Sequence, residues 1–289
     1  MNRIEPADGS ASIEYDEIGV GATLVLVPGS LSTGAAWKSI VSRLGGGFRI
    51  VTTSLLGNGR TPERRSGAQV SIQLQVDALE SVVRRTGGGP VHFVSHSYGG
   101  VAVLALALKK SVSIASLFLI EPNPADVLRQ SGEPDLYARF RAMSDAYAQA
   151  FAHGETEAIA RVVDFYDGPG SYAALPARVR EHLVAYTQSN ILDWASMYGF
   201  DAGLAEYAAI GAPTVIVRGM RGHPGMLRIA EILHSNIGGS ALVSIEDAGH
   251  FMLATHAARL AHLLAAHVTR VEGAATTRSD TVGVAMDAP

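Results

Sequence analysis

The chain has 289 residues, a formal net charge of -4, and 47% hydrophobic residues. That length can bury a full core and exceeds the usual single domain, which suggests one large α/β domain with an insertion. No basic block stands out, which argues against nucleic acid or an anionic membrane as partner. The absence of cysteine excludes disulfides, thiolate metal sites and a cysteine nucleophile.

A chain without cysteine fits a reducing compartment, and a cytoplasmic location is expected. The N-terminal MNRIEPADGS has no apolar core of the signal-peptide kind. The longest strongly apolar run, Val101 to Leu108, ends at Lys109 and Lys110, short of the roughly twenty residues a membrane span needs.

In chain order, SIEYDEIGV alternates loosely and reads as an edge strand. ATLVLVP (22–28) is a continuous apolar run, as expected for a strand covered on both faces. A glycine–serine turn follows, then a helix around Ala35 to Leu44, then the strand FRIVTTS (48–54). After the loop GNGRTP, residues 71–86 carry Leu74, Val76, Leu79 and Val82 at helical spacing. GGGP leads into the strand VHFVS, the buried helix YGGVAVLALALKK and the strand ASLFLI (115–120). From about Pro124 to Ala205 the sequence is helical, with no convincing strand. Alternation resumes with PTVIVRG (213–219), the helix MLRIAEILHSNI, the strand ALVSI (241–245) and a helix from about Thr255 to Arg270. This order predicts a mostly parallel sheet with helices on both faces. The core is expected in residues 1–123 and 206–270, with an all-helical cap at 124–205. Residues 271–289 lack periodicity and read as a flexible tail.

The stretch PVHFVSHSYGG, Pro90 to Gly100, sits at a strand–turn–helix junction. A nucleophile elbow there holds a serine in strained backbone geometry, and the residues two before and two after it must be small. Around Ser97 those residues are Ser95 and Gly99; around Ser95 one of them is Phe93. Ser97 is therefore the candidate nucleophile. Taken alone, a glycine-rich turn with incidental serines would also account for the stretch.

A serine hydroxyl needs a base. His250, in DAGHF just past the last strand, has Gly249 before it to let the loop turn toward the sheet edge. The developing oxyanion needs two donors. The N–H of Tyr98 is one, and the N–H of Ser30, with Leu31 as second choice, is the other. His92 and His96 are four apart but lie on a strand running into a turn, and no HExxH is present, so a metal site is not expected. No dinucleotide or phosphate loop is formed, so no cofactor is expected.

Together these stretches resemble the α/β-hydrolase superfamily over nearly all of residues 10 to 270. VPGSLSTGAAW resembles its oxyanion loop with a downstream tryptophan, Trp37, although Pro28 stands where histidine is usual. SLLGNGRT resembles its D-x-x-G-x-G-x-S loop with Ser54 in place of aspartate, and SHSYGG and AGH match the elbow and the histidine loop. The resemblance implies a triad acid, usually in G-x-x-D after the strand read as PTVIVRG. Here Gly219 is followed by Met220, Arg221 and Gly222.

Three readings stay open. Glu121, at the end of ASLFLI and followed by Pro122, supplies the acid one strand earlier, as in a subset of the superfamily. Asp126 or a cap residue supplies it instead. Or there is no acid. Asp247 is expected to face away. The resemblance implies a serine hydrolase acting by acyl transfer to water on an ester, thioester or lactone, with a small-molecule substrate as its partner. The aromatic residues of the expected cap, among them Phe140, Phe165, Tyr166 and Trp194, suggest that the substrate is small and apolar or aromatic. The alternatives are a carbon–carbon bond hydrolase on the same site and a catalytically weak, receptor-like homologue.

Overall fold

The computed structural model describes residues 2–4, 13–67 and 69–284, with side chains described for 13–67 and 69–275. Among the described residues, eight strands form one sheet: β1 (Asn2–Ile4), β2 (Ile13–Ile18), β3 (Ala22–Val27), β4 (Phe48–Thr53), β5 (Val91–His96), β6 (Ile114–Ile120), β7 (Thr214–Gly219) and β8 (Ala241–Ile245). Their order across the sheet is β1-β2-β4-β3-β5-β6-β7-β8. The pairs β1–β2 and β2–β4 are antiparallel and the remaining pairs are parallel. β2 is therefore not the edge strand that its loose alternation suggests, because Asn2–Ile4 pairs along its outer side. Three residues are too short a run to carry a periodic signal.

The central strands are buried on both faces, and every residue of β5 is buried. One face packs the helices Ile72–Arg85 and Tyr98–Lys109 into a cluster with Val76, Leu79, Val101 and Leu104. The other face packs Trp37, Ile40, Leu260 and Leu264 against Leu24, Val94 and Phe118. The helix Tyr98–Lys109 is buried as far as Ala107, as an all-round apolar helix must be. Ser71 caps Ile72–Arg85 by accepting from the Gln73 N–H. The final helix runs Ala257–Val284. Residues 271–284 thus continue that helix where a flexible tail was expected: the segment holds no proline, and its two glycines, Gly273 and Gly283, did not end the helix. Residues 285–289 lie outside the described residues. Among the described residues, no helix is long and apolar enough to cross a membrane.

Between β6 and β7 the chain forms the helices Asp126–Gln130, Pro134–Ala152, Ala160–Asp167, Ala177–Ala185, Thr187–Tyr198 and Leu204–Tyr207. A buried ion cluster ties this helical block to the core. Arg65, whose side chain is fully enclosed, donates to Asp193 of Thr187–Tyr198, to Glu63 and to the Leu56 carbonyl. Asp193 accepts a second bond from the Ser30 hydroxyl at 2.6 Å. Burial pushes the Asp193 carboxyl up to about 6, with Arg65 and Ser30 opposing the rise.

Two stability predictions follow from this packing. A Cβ on Gly99 would lie 2.3 Å from the Pro28 carbonyl oxygen, whereas one on Gly46 would meet nothing within 4 Å. Gly99→Ala is expected to lose about 1–3 kcal/mol, at about 2–4 °C of Tm per kcal/mol, while Gly46→Ala stays within about 0.5 kcal/mol. Thermal melts giving equal Tm values for the two would contradict the packing described. Arg65→Ala strands Asp193 and is expected to cost about 3–5 kcal/mol, while Arg65→Met combined with Asp193→Leu costs less than the single change. Denaturant unfolding of both variants checks the order.

Candidate active site

In a parallel sheet the strand ends share one edge, and β3, β5, β6 and β8 all deliver side chains or turns there. Ser97 follows β5 at φ 52° and ψ −127°, a conformation that non-glycine residues rarely adopt and that costs on the order of 1–3 kcal/mol. Its neighbours explain why it is tolerated. Gly99 lies against the Val27 and Pro28 carbonyls, Gly100 against Pro122, and Gly29 against Ser97 and His96. Ser95, the small residue before the elbow, is fully buried, and its hydroxyl has no partner.

Ser97, His250 and Glu121 come together across three loops. The Ser97 Oγ and the His250 Nε2 are 3.0 Å apart. The His250 Nδ1 and a Glu121 carboxylate oxygen are 3.2 Å apart. A carboxylate only accepts, so Nδ1 carries the proton and the Nε2 lone pair faces the serine hydroxyl, which donates to it. All three residues are buried. The second Glu121 oxygen accepts from the Gly219 N–H at 2.7 Å, at the end of β7. Glu121 has φ 47°, and this left-handed turn aims its side chain back across the sheet edge.

The other carboxylates considered lie elsewhere. Asp126 is paired with Arg129 at 2.7 Å, and Asp247 is exposed and paired with His256 at 3.1 Å. Arg221 and Gly222 make turn hydrogen bonds to Ala248 and Gly219.

Ser30 and Tyr98 line the same cavity as Ser97 and His250. Tyr98 opens its helix, so its N–H is one of those a helix leaves without an intrahelical acceptor. The Ser30 side chain is turned to Asp193, which fixes the turn after β3. Leu31 has φ 62°, and its carbonyl accepts from His182 of the helical block at 3.0 Å. Ser54, standing where the resembling loop has aspartate, accepts the Gly34 N–H at 3.2 Å, a structural use.

Several neighbours of the site were not marked by sequence. The His250 N–H donates to Asp167 at 3.0 Å. The Tyr166 ring stacks on the His250 imidazole with centroids 4.0 Å apart and planes inclined by 11°. The His96 Nε2 donates to the His250 carbonyl at 2.9 Å, and burial, with His250 beside it, pushes His96 protonation down to about 3. His96 is thus a neutral clamp on the histidine loop. The one available signal was the string FYDGPGSY, whose Tyr166 and Asp167 precede two glycines.

The cavity over Ser97 has a volume of about 300 Å³. Its apolar wall includes Leu31, Val162, Trp194, Met197 and Phe251, and Asn123 and Asn190 add polar groups.

A family model described as the alpha/beta hydrolase family matches residues 24–263. Lipase LipV of Mycobacterium tuberculosis is 28% identical over 241 residues, which span 80% of this chain and 87% of that protein. A solved esterase from Thermogutta terrifontis superposes with a TM-score of 0.74 at 17% identity, covering 94% of this chain and 99% of that one. An esterase from Exiguobacterium antarcticum gives a TM-score of 0.73 at 19% identity, covering 93% and 98%. The two superpositions bear on fold alone; it is the family match, spanning β3, the elbow, the helical block and the histidine loop, that shows that the chain belongs to the alpha/beta hydrolase family.

Proposed function

We propose that the protein is a serine hydrolase that cleaves small apolar carboxylic esters, with Ser97 as nucleophile, His250 as base and Glu121 as the acid that orients it. The observation that carries this reading is the unbroken chain from the Ser97 hydroxyl through His250 to Glu121, at 3.0 and 3.2 Å. The Ser97 Oγ attacks the ester carbonyl carbon while His250 Nε2 takes its proton. The N–H groups of Ser30 and Tyr98 hold the oxyanion. Collapse expels the alcohol, which takes the proton from His250. Water then attacks the acyl-enzyme, giving its proton to His250, and the carboxylic acid leaves as Ser97 recovers its hydrogen. The helical block acts as a cap that walls the cavity.

The names of similar proteins, a lipase and two esterases, agree with this class. Thioesters and lactones present the same carbonyl chemistry. A receptor-like homologue would need neither a serine held in a strained turn nor a base aligned on it, and this pairing favours the enzyme.

The test is labelling by a fluorophosphonate, mapped to the modified peptide. Wild type is expected to label at Ser97, and Ser97→Ala not at all. His250→Ala is expected to label at least about 10³-fold more slowly, and Glu121→Gln about 10²–10⁴-fold more slowly. Folded wild-type protein that fails to label would exclude an activated serine, and Glu121→Gln labelling like wild type would remove Glu121 from the triad. A cavity of about 300 Å³ is at the small end for ligand sites. Among p-nitrophenyl esters, kcat/KM for butyrate is therefore expected to exceed that for palmitate by about tenfold or more. A rate that rises with chain length would overturn the size assignment.

A further inference from the structure

We propose that Tyr166, carried by the helical block, is a positioning residue that stabilises the positively charged form of His250 as the reaction proceeds. This inference rests on the hydrolase reading above and goes beyond it, because it makes the inserted helices part of the proton-transfer machinery.

The geometry is specific. The two rings lie face to face at 4.0 Å and 11°, close enough for a cation over an aromatic face to be attracted by the ring's quadrupole. Burial raises the Tyr166 phenol well above its ordinary range, so the ring is neutral. Its hydroxyl accepts from the Asn123 Nδ2 at 3.0 Å, and edge contacts from Phe140 and Phe165 hold its plane. The neighbouring Asp167 accepts the His250 backbone N–H, so consecutive residues grip the base by ring and by main chain.

The attraction is selective for the charged state. When Ser97 attacks, its proton moves to Nε2 and the imidazole becomes imidazolium; only then does the full cation–π term arise. An interaction that strengthens toward the transition state raises the rate of chemistry and not merely affinity. Phe251 meets the imidazole edge-on at 5.3 Å, and the titratable groups around it are otherwise engaged. Glu121 holds Nδ1, His96 is neutral and donates to the His250 carbonyl, Asp167 takes the backbone N–H, and Asp247 on the same loop is turned to His256. Tyr166 is the neighbour whose aromatic face lies flat on the imidazole.

The experiment is the pH dependence of fluorophosphonate labelling at Ser97 in wild type, Tyr166→Phe and Tyr166→Leu. Below the acidic limb His250 is protonated and cannot accept the serine proton. A ring that favours imidazolium places this limb at higher pH, and its removal moves the limb to lower pH. Tyr166→Leu is expected to label about tenfold more slowly at the plateau, with its limb lowered by about one pH unit, equivalent to about 1.4 kcal/mol. Tyr166→Phe is expected to stay within about twofold of wild type, with its limb unmoved.

Replacing Tyr166 by pentafluorophenylalanine keeps the ring's shape and reverses the charge of its face, so it tests the idea even if Tyr166→Leu fails to fold. The same downward shift is expected. A slower Tyr166→Leu with an unmoved limb, or a pentafluorophenylalanine variant with the wild-type profile, would reduce Tyr166 to packing. Tyr166→Phe behaving like Tyr166→Leu would assign the effect to the hydroxyl and overturn the proposal. Folded wild type that does not label at all would instead overturn the hydrolase reading.

Discussion

The site depends on three backbone segments approaching more closely than side chains would permit. The turns after β3, β5 and β6 meet at the sheet edge through Gly29, Gly99 and Gly100, where an added Cβ would collide with His96, the Pro28 carbonyl and Pro122 respectively. This crowding holds Ser97 in its strained conformation and sets the turn carrying Ser30 beside it. The strain is local, and the surrounding core is large: both faces of the sheet are packed with apolar side chains, so a cost of a few kcal/mol at one residue is absorbed.

Glu121 reaches His250 from the end of β6 and is held by the turn after β7. With glycine at 219 and 222 and arginine at 221, the turn after β7 has no carboxylate, but it still contributes. The Gly219 N–H holds one oxygen of Glu121 while His250 engages the other. Glutamate from β6 thus reaches the imidazole nitrogen facing away from Ser97.

The strand and helix order of the core was legible because its signals are local. Continuous apolar runs mark the buried parallel strands, and small residues around Ser97 mark the elbow. The proximity of Ser97, His250 and Glu121 could be read because Ser97 and Glu121 directly follow β5 and β6 and His250 lies in the loop after β8, and in a parallel sheet those positions converge. What escaped was either too short or too far apart in sequence. Three residues of β1 offer no period. The extension of the last helix through VEGAATTRSD lacks an apolar stripe. Asp193 lies on a helix that reads TQSNILDWASMY, where a single acid looks like a solvated one; its burial depends on Arg65, 128 residues away. Tyr166 and Asp167 gained meaning only when folding brought them to a histidine 83 residues later.

The contact between the inserted helices and the histidine loop also bears on how such a scaffold can be diversified. Exchanging the whole insertion for that of another protein would remove the Asp167 hydrogen bond and the Tyr166 stack from His250 together, so a chimera would change the surroundings of His250 along with the cavity. The helix Thr187–Tyr198 is separable by comparison. Asn190, Trp194 and Met197 face the cavity from it without a hydrogen bond to His250, Ser97 or Glu121. Substitutions at Asn190 and Met197 can reshape the cavity without touching the rings around His250, whereas Trp194 packs against Tyr166 and Phe140. The insertion thus meets His250 through Tyr166 and Asp167 and walls the cavity from several of its helices, Val162 and Leu183 included.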